Sequence, residues 1–105
     1  MKASTVVFIE ESLEERFESL PDNALRRAII RTIRALEQNA FSGAQISKRL
    51  IPKQYTTTYG ITNLWKRNLP RGCRLLYTVA SDEHGIICAI IDWFDHKEYE
   101  RTMGY

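Results

Sequence analysis

The stretch Ile86 to Phe94 reads Ile-Ile-Cys-Ala-Ile-Ile-Asp-Trp-Phe, and this near-continuous apolar run constrains the fold more than any other segment. A strand with one wet face alternates apolar and polar side chains. A run interrupted by Asp92 alone therefore predicts a strand covered on both faces, at the centre of a sheet. It is far too short to cross a bilayer.

The other elements must be arranged around that strand. Thr5-Val6-Val7-Phe8-Ile9-Glu10 is rich in β-branched residues and reads as a first strand. Ser12 with Glu15 has the form of a capping box, and Leu13, Phe17 and Leu20 then recur at helical spacing until Pro21. Asp22 or Asn23 caps a second helix whose Leu25, Ala28, Ile29, Thr32, Ile33 and Leu36 share one face, with Arg27, Arg31 and Arg34 on the opposite one. Two helices joined at Pro21 predict an antiparallel hairpin lying on a sheet. Between Gly43 and Gly60 the signal is weak: Pro52 interrupts, and Tyr55-Thr56-Thr57-Thr58-Tyr59 suits extended structure or a loop. Ile61 to Leu69 alternates as a strand, Pro70-Arg71-Gly72 supplies a turn, and Cys73 to Ala80 is the returning strand. Ser81 to Gly85 then turns into the apolar run, which places His84 in a turn. His96 to Tyr105 reads as a short helix or an ordered tail.

The order β-α-α-β-β-β with a small C-terminal element predicts an α+β fold: a mainly antiparallel sheet with the helical hairpin on one face. The first strand is expected at an edge of the three-strand meander, and beside the apolar run its pairing would be parallel. At 105 residues, 44% hydrophobic and 27% charged, the chain is expected to form one domain, 1–105, with a core that needs no metal or disulfide. Trp65 and Trp93 are core candidates. Cys73 and Cys88 form no CxxC and have no zinc-ligand spacing, so both are expected as reduced thiols, with no metal and no cofactor. Met1-Lys2-Ala3-Ser4 leads into a strand rather than a signal peptide, which predicts a cytoplasmic protein with no membrane partner. No Gly-rich phosphate loop, no G-x-S-x-G elbow and no paired metal-binding carboxylates are visible.

The net charge of +2 conceals segregation. Met1 to Asp22 carries six acids against Lys2 and Arg16. Asn23 to Arg74 carries eleven bases (Arg26, Arg27, Arg31, Arg34, Lys48, Arg49, Lys53, Lys66, Arg67, Arg71 and Arg74) against Glu37 alone. Leu75 to Tyr105 carries six acids against Lys97 and Arg101. A block of +10 is what a polyanion partner selects, because each phosphate contact releases condensed counterions. Within it Arg67, Arg71, Lys48, Arg49 and Lys53 are candidates for RNA contact, and the acidic ends are expected to lie away from the RNA side.

Asn63-Leu64-Trp65-Lys66-Arg67-Asn68-Leu69, the step Gly72-Cys73-Arg74-Leu75-Leu76-Tyr77 and the tail Asp95-His96-Lys97-Glu98-Tyr99 together resemble the RelE/HigB/YoeB group of the RelE/ParE toxin superfamily. Counting element order, the resemblance covers nearly the whole chain. It implies a toxin of a toxin–antitoxin pair that enters the ribosomal A site and cuts mRNA there, neutralised by a small antitoxin protein. The related ParE branch is directed at gyrase instead, and a relative that binds RNA without cutting it is a further possibility. Carried over to this chain, the resemblance makes Arg74 the phosphate-holding arginine, Lys66 a cation on the preceding strand, and His96 with Tyr99 the tail pair. Asn68 stands where some members place a second cation, the His96–Tyr99 spacing is shorter than the family's, and Tyr105 is an alternative to Tyr99.

The implied chemistry suits these residue types. Metal-free RNA cleavage needs a deprotonated 2′-hydroxyl, a stabilised phosphorane and a protonated leaving oxygen. Arg74 offers a permanently charged fork that meets two phosphate oxygens. His96 titrates near neutrality and is the natural acid or base. Lys66 or Arg71 adds positive potential, and Tyr99 stacks on a base or passes a proton. Asp95 either orients the imidazole or solvates the loop, and Asp92 is expected to point away from phosphate.

Overall fold

A computed structural model describes residues 3–104. Its elements run in the order β1 (Thr5–Phe8), α1 (Glu11–Glu18), α2 (Ala24–Gln38), β2 (Ala44–Ile46), α3 (Lys53–Tyr59), β3 (Leu64–Asn68), β4 (Arg74–Asp82), β5 (Gly85–Phe94) and α4 (His96–Met103). The five strands form one sheet in the order β1-β5-β4-β3-β2. The α+β class is as expected, and of the two edges of the meander β1 takes the one beside β5, where it pairs in parallel while every other neighbour is antiparallel. The apolar run is an interior strand but not the middle one; that place belongs to β4, whose Leu75, Leu76 and Tyr77 are fully buried.

Both faces of the sheet are covered. On one, α1 and α2 pack Leu13, Ala28, Ile29 and Leu36 against Leu75, Tyr77, Cys88, Ile90 and Trp93. On the other, Tyr55 of α3 and Tyr99 and Met103 of α4 pack against Ile46, Leu64, Leu76 and Ile91. The apolar run serves both cores, with Ile90 on the first side and Ile91 on the second. A register shift opposite Leu76 and Tyr77 accommodates this: Leu76 pairs with Asp92 and Tyr77 with Ile90, leaving Ile91 as the extra residue of a bulge.

Several local expectations need correction. Tyr55 to Tyr59 is helical rather than extended: Tyr55 and Tyr59, one turn apart, stack with centroids 6.3 Å apart, and burial of Tyr55 outweighs the weak helix propensity of the threonines. Gly60, at φ 66°, ends this helix by donating its N–H to the Thr56 carbonyl, a backbone conformation that side chains disfavour. The capping box at Ser12 does not form, because α1 starts two residues earlier with Glu10 at the cap position and no side-chain cap bond. That helix also ends at Ser19, before Pro21. Of the two candidate caps for α2, Asn23 serves, its side-chain oxygen accepting the Arg26 N–H at 3.1 Å.

Candidate functional site

The site is built on the face that α3 and α4 cover. Antiparallel register places Asn68 opposite Arg74 and Arg74 opposite Phe94, with Lys66 opposite Leu76 in the adjoining row. Residues two apart along a strand share a face, so Lys66 and Asn68 of β3 and Arg74 of β4 all point to this side. α4 then lays Tyr99 across them. The Lys66 ammonium lies 5.6 Å from the centroid of the Tyr99 ring and the Arg74 guanidinium 5.8 Å from it, both within cation–π range. Three of the four sequence-derived catalytic candidates thus converge, although 33 residues separate Lys66 from Tyr99 in the chain.

The electrostatics of this cluster are one-sided. Among the described residues neither Lys66 nor Arg74 has a carboxylate within ion-pairing distance. One terminal nitrogen of Arg74 donates to the carbonyls of Gly72 at 2.8 Å and Cys73 at 3.1 Å, which anchors the side chain at the turn, while its buried Nε has no hydrogen-bond partner among the described residues. Two uncompensated cations beside an aromatic face are suited to an anion whose oxygens can take up the unused donors.

His96 opens α4 at the rim of this cluster, with its Cβ facing Gly72. Its Nε2 lies 2.5 Å from the Glu100 carboxylate one turn along, and the side chain is 60% exposed, so it is open to a ligand approaching from solvent. Asp95 neither orients the imidazole nor simply solvates the loop. It is the N-cap of α4, accepting the Glu98 N–H at 2.8 Å, and that bond holds its carboxyl below the usual carboxylate range. Asp92 is ion-paired with Arg16. The acidic tail therefore does not lie away from the basic cluster: α4 carries Glu100 to the same face of the sheet. Tyr105 lies outside the described residues.

The candidate RNA-contact residues are dispersed. Lys48 and Arg49 form an exposed 3-10 turn after β2, and Lys53 opens α3. Arg67 alternates onto the opposite face of β3 and donates to the Ser42 hydroxyl at 3.0 Å; with Lys66, Asn68 and Gly43 it lines a shallow cleft of about 430 Å³ at the β2–β3 edge. Arg71 sits in the β3–β4 turn at φ 60°, beside the start of α2. Sequence reasoning missed the apolar surround of the site, Tyr55 and Ile46 above all, because the segment holding them has no periodicity. Met103 carried no signal either, while the spacing of Asp95 and Glu98 does resemble a cap.

Among the described residues no group of three or more His, Cys, Asp or Glu side chains is placed to hold a metal ion, and no helix is long and apolar enough to cross a membrane. Comparison with protein-family models, with curated proteins and with solved structures found no match.

Proposed function

We propose that this protein is a RelE-like toxin that cleaves mRNA on the ribosome by metal-free general acid/base chemistry, at the face formed by Lys66, Arg74, His96 and Tyr99. One observation carries the reading: Lys66 and Arg74, on different strands, share one aromatic platform with no carboxylate among the described residues within ion-pairing distance. In this reading Arg74 binds the phosphodiester and stabilises the charge that grows on its oxygens, using the fork left partly unsatisfied in the free protein. Lys66 supplies a second positive charge. His96 moves the proton to or from the reacting oxygens, with Glu100 holding the ring, and Tyr99 positions the phosphate through its contact with both cations. A small acidic antitoxin protein is the partner that would cover this basic surface, and the cytoplasm is where such a toxin acts.

The test is a translation reaction with purified protein in which new mRNA 5′ ends are mapped. Arg74→Ala should lower the cleavage rate at least a hundredfold while weakening ribosome binding far less, the signature of an interaction made in the transition state. Arg74→Lys should rescue it in part, because the two-point fork is lost. His96→Gln should lower the rate by about a hundredfold and flatten its pH dependence near neutrality.

A second reading rests on the burial of the platform. Tyr99 is 4% exposed and the solvent-facing His96 is engaged by Glu100, which describes a site whose platform is covered and favours a relative that binds RNA without cutting it. Growth arrest with no new mRNA ends, equally strong in the His96→Gln variant, selects this reading and discards the nuclease.

A further inference from the structure

The fold divides the basic block between two sides of the sheet. Lys66 and Arg74 share the α3/α4 face, whereas Arg27, Arg31 and Arg34 stand exposed on α2, which covers the other face. The inner side of α2 is fixed by its buried residues Ala28, Ile29, Thr32 and Leu36. Arg26 points sideways into α1, donating to the Phe17 carbonyl at 2.9 Å with its guanidinium over the Phe17 ring. At 100° per residue, positions 27, 31 and 34 then form a line facing solvent and turned away from the acidic α1. Arg27 is paired with Asp22 at 3.0 Å, but among the described residues Arg31 and Arg34 have no ion-pair partner. Arg71 extends the line at its N-terminal end, where it borders a cavity of about 270 Å³ with Asn23, Ala24 and Leu25.

We propose that the outer face of α2, with Arg71, is a second nucleic-acid surface that binds the sugar-phosphate backbone of double-stranded RNA. From Arg27 to Arg34 the helix rises about 10 Å. One strand of a duplex presents about three phosphates over that length. The line continues to Gln38 with no apolar side chain on it. Between Arg27 and Gln38 the line offers an acidic protein no apolar side chain to bury, the apolar cavity at Ala24, Leu25, Pro70 and Cys73 lying beyond its N-terminal end, while a phosphate backbone needs only charge and planar forks. The choice of RNA over DNA rests on the proposed function; the surface itself does not. A protein with phosphate-binding groups on both sides of its sheet can hold a structured RNA on one while presenting the other to a single strand.

The experiment measures binding of the full-length protein to a fluorescent RNA hairpin with a stem of about 16 base pairs, the length a duplex-reading domain spans, across a series of salt concentrations. Paired Arg31→Glu and Arg34→Glu substitutions should lower affinity at least tenfold and flatten the slope of log affinity against log salt by about two. Arg31→Lys with Arg34→Lys should keep most of the slope. Paired Lys66→Ala and Arg74→Ala substitutions should leave hairpin affinity within about twofold, so loss of cleavage with retained binding separates a failure of the nuclease reading from a failure of this one. The α2 positions are exposed, and an unchanged circular dichroism spectrum confirms that each variant folds. Unchanged hairpin affinity in the glutamate variant overturns the proposal. So does a DNA duplex of the same sequence bound at least as tightly, and so does displacement of the hairpin by polyglutamate at equal charge concentration, which would assign the stripe to acidic protein.

Discussion

Tyr77 shows how one side chain joins segments that are distant in sequence. It is fully buried; its hydroxyl donates to the Ala40 carbonyl at 3.0 Å and accepts the Gly43 N–H at 3.0 Å, tying β4 to the loop between α2 and β2. Tyr77→Phe leaves both backbone groups without this partner and should cost about 1–3 kcal/mol in chemical denaturation. Burial pushes the phenol up to about 12, from an ordinary value near 10. Below pH 10 both folded and unfolded forms hold this proton; between about 10 and 12 the unfolded chain releases it more readily. The Tyr77 contribution to stability should therefore fall across that window, and a variant carrying phenylalanine should lack that component. Gly43 is required by the same contact, since a Cβ there would lie 2.6 Å from the Lys66 carbonyl and 2.7 Å from the Tyr77 hydroxyl. The two thiols differ in the same way. Cys88 is fully buried and its thiol is pushed up by burial, whereas Cys73 is half-buried, so iodoacetamide should modify Cys73 in the native protein and Cys88 only after unfolding. The sequence marks Tyr77 and both cysteines as strand residues, but a hydroxyl bonded to partners 34 and 37 positions away leaves no local trace.

At the scale of elements, α4 decides whether the cationic cluster is open or covered. It is held by the Asp95 cap, by Tyr99 and by Met103, which is 7% exposed. Met103→Ala removes apolar contacts from the smaller core and should destabilise the protein by about 2 kcal/mol or more. The loss should appear as faster hydrogen exchange in α4 than in β4 or β5. The cap adds a pH dependence of known sign. A carboxyl held below its ordinary range stabilises the helix above that range, and the contribution disappears as pH falls through the lowered value. Acidification should thus loosen α4, an effect that Asp95→Asn, which keeps an acceptor but not the charge, should blunt. Sequence reading finds β1, β3, β4, β5 and the α1–α2 hairpin because periodicity and turn chemistry are local, but it misses the three-residue edge strand β2. It misses α3, whose Thr-Thr-Thr centre favours no helix until Tyr55 finds a core to enter.

At the scale of the molecule, charge and topology act together. The +10 block predicts that the proposed RNA binding weakens steeply with salt, and the two-sided arrangement of those cations predicts that no single pair of substitutions removes the whole dependence. An affinity equal at low and physiological salt would remove the electrostatic argument for both surfaces. The sequence by itself determined the α+β class, the helical hairpin and the burial of the apolar run on both faces, because hydrophobic period and turn residues act over a few positions, whereas the middle place in the sheet went to β4. Only the tertiary structure decided that Lys66, Arg74 and Tyr99 meet, that Arg67 and the α2 arginines look the other way, and that α4 brings acidic residues to the basic face. The physical reason is register: side chains alternate across a strand, so one residue of slip, or the bulge at Ile91, moves a side chain from one face of the sheet to the other. Strand pairing sets that register across the whole chain, and no local stretch of sequence contains it.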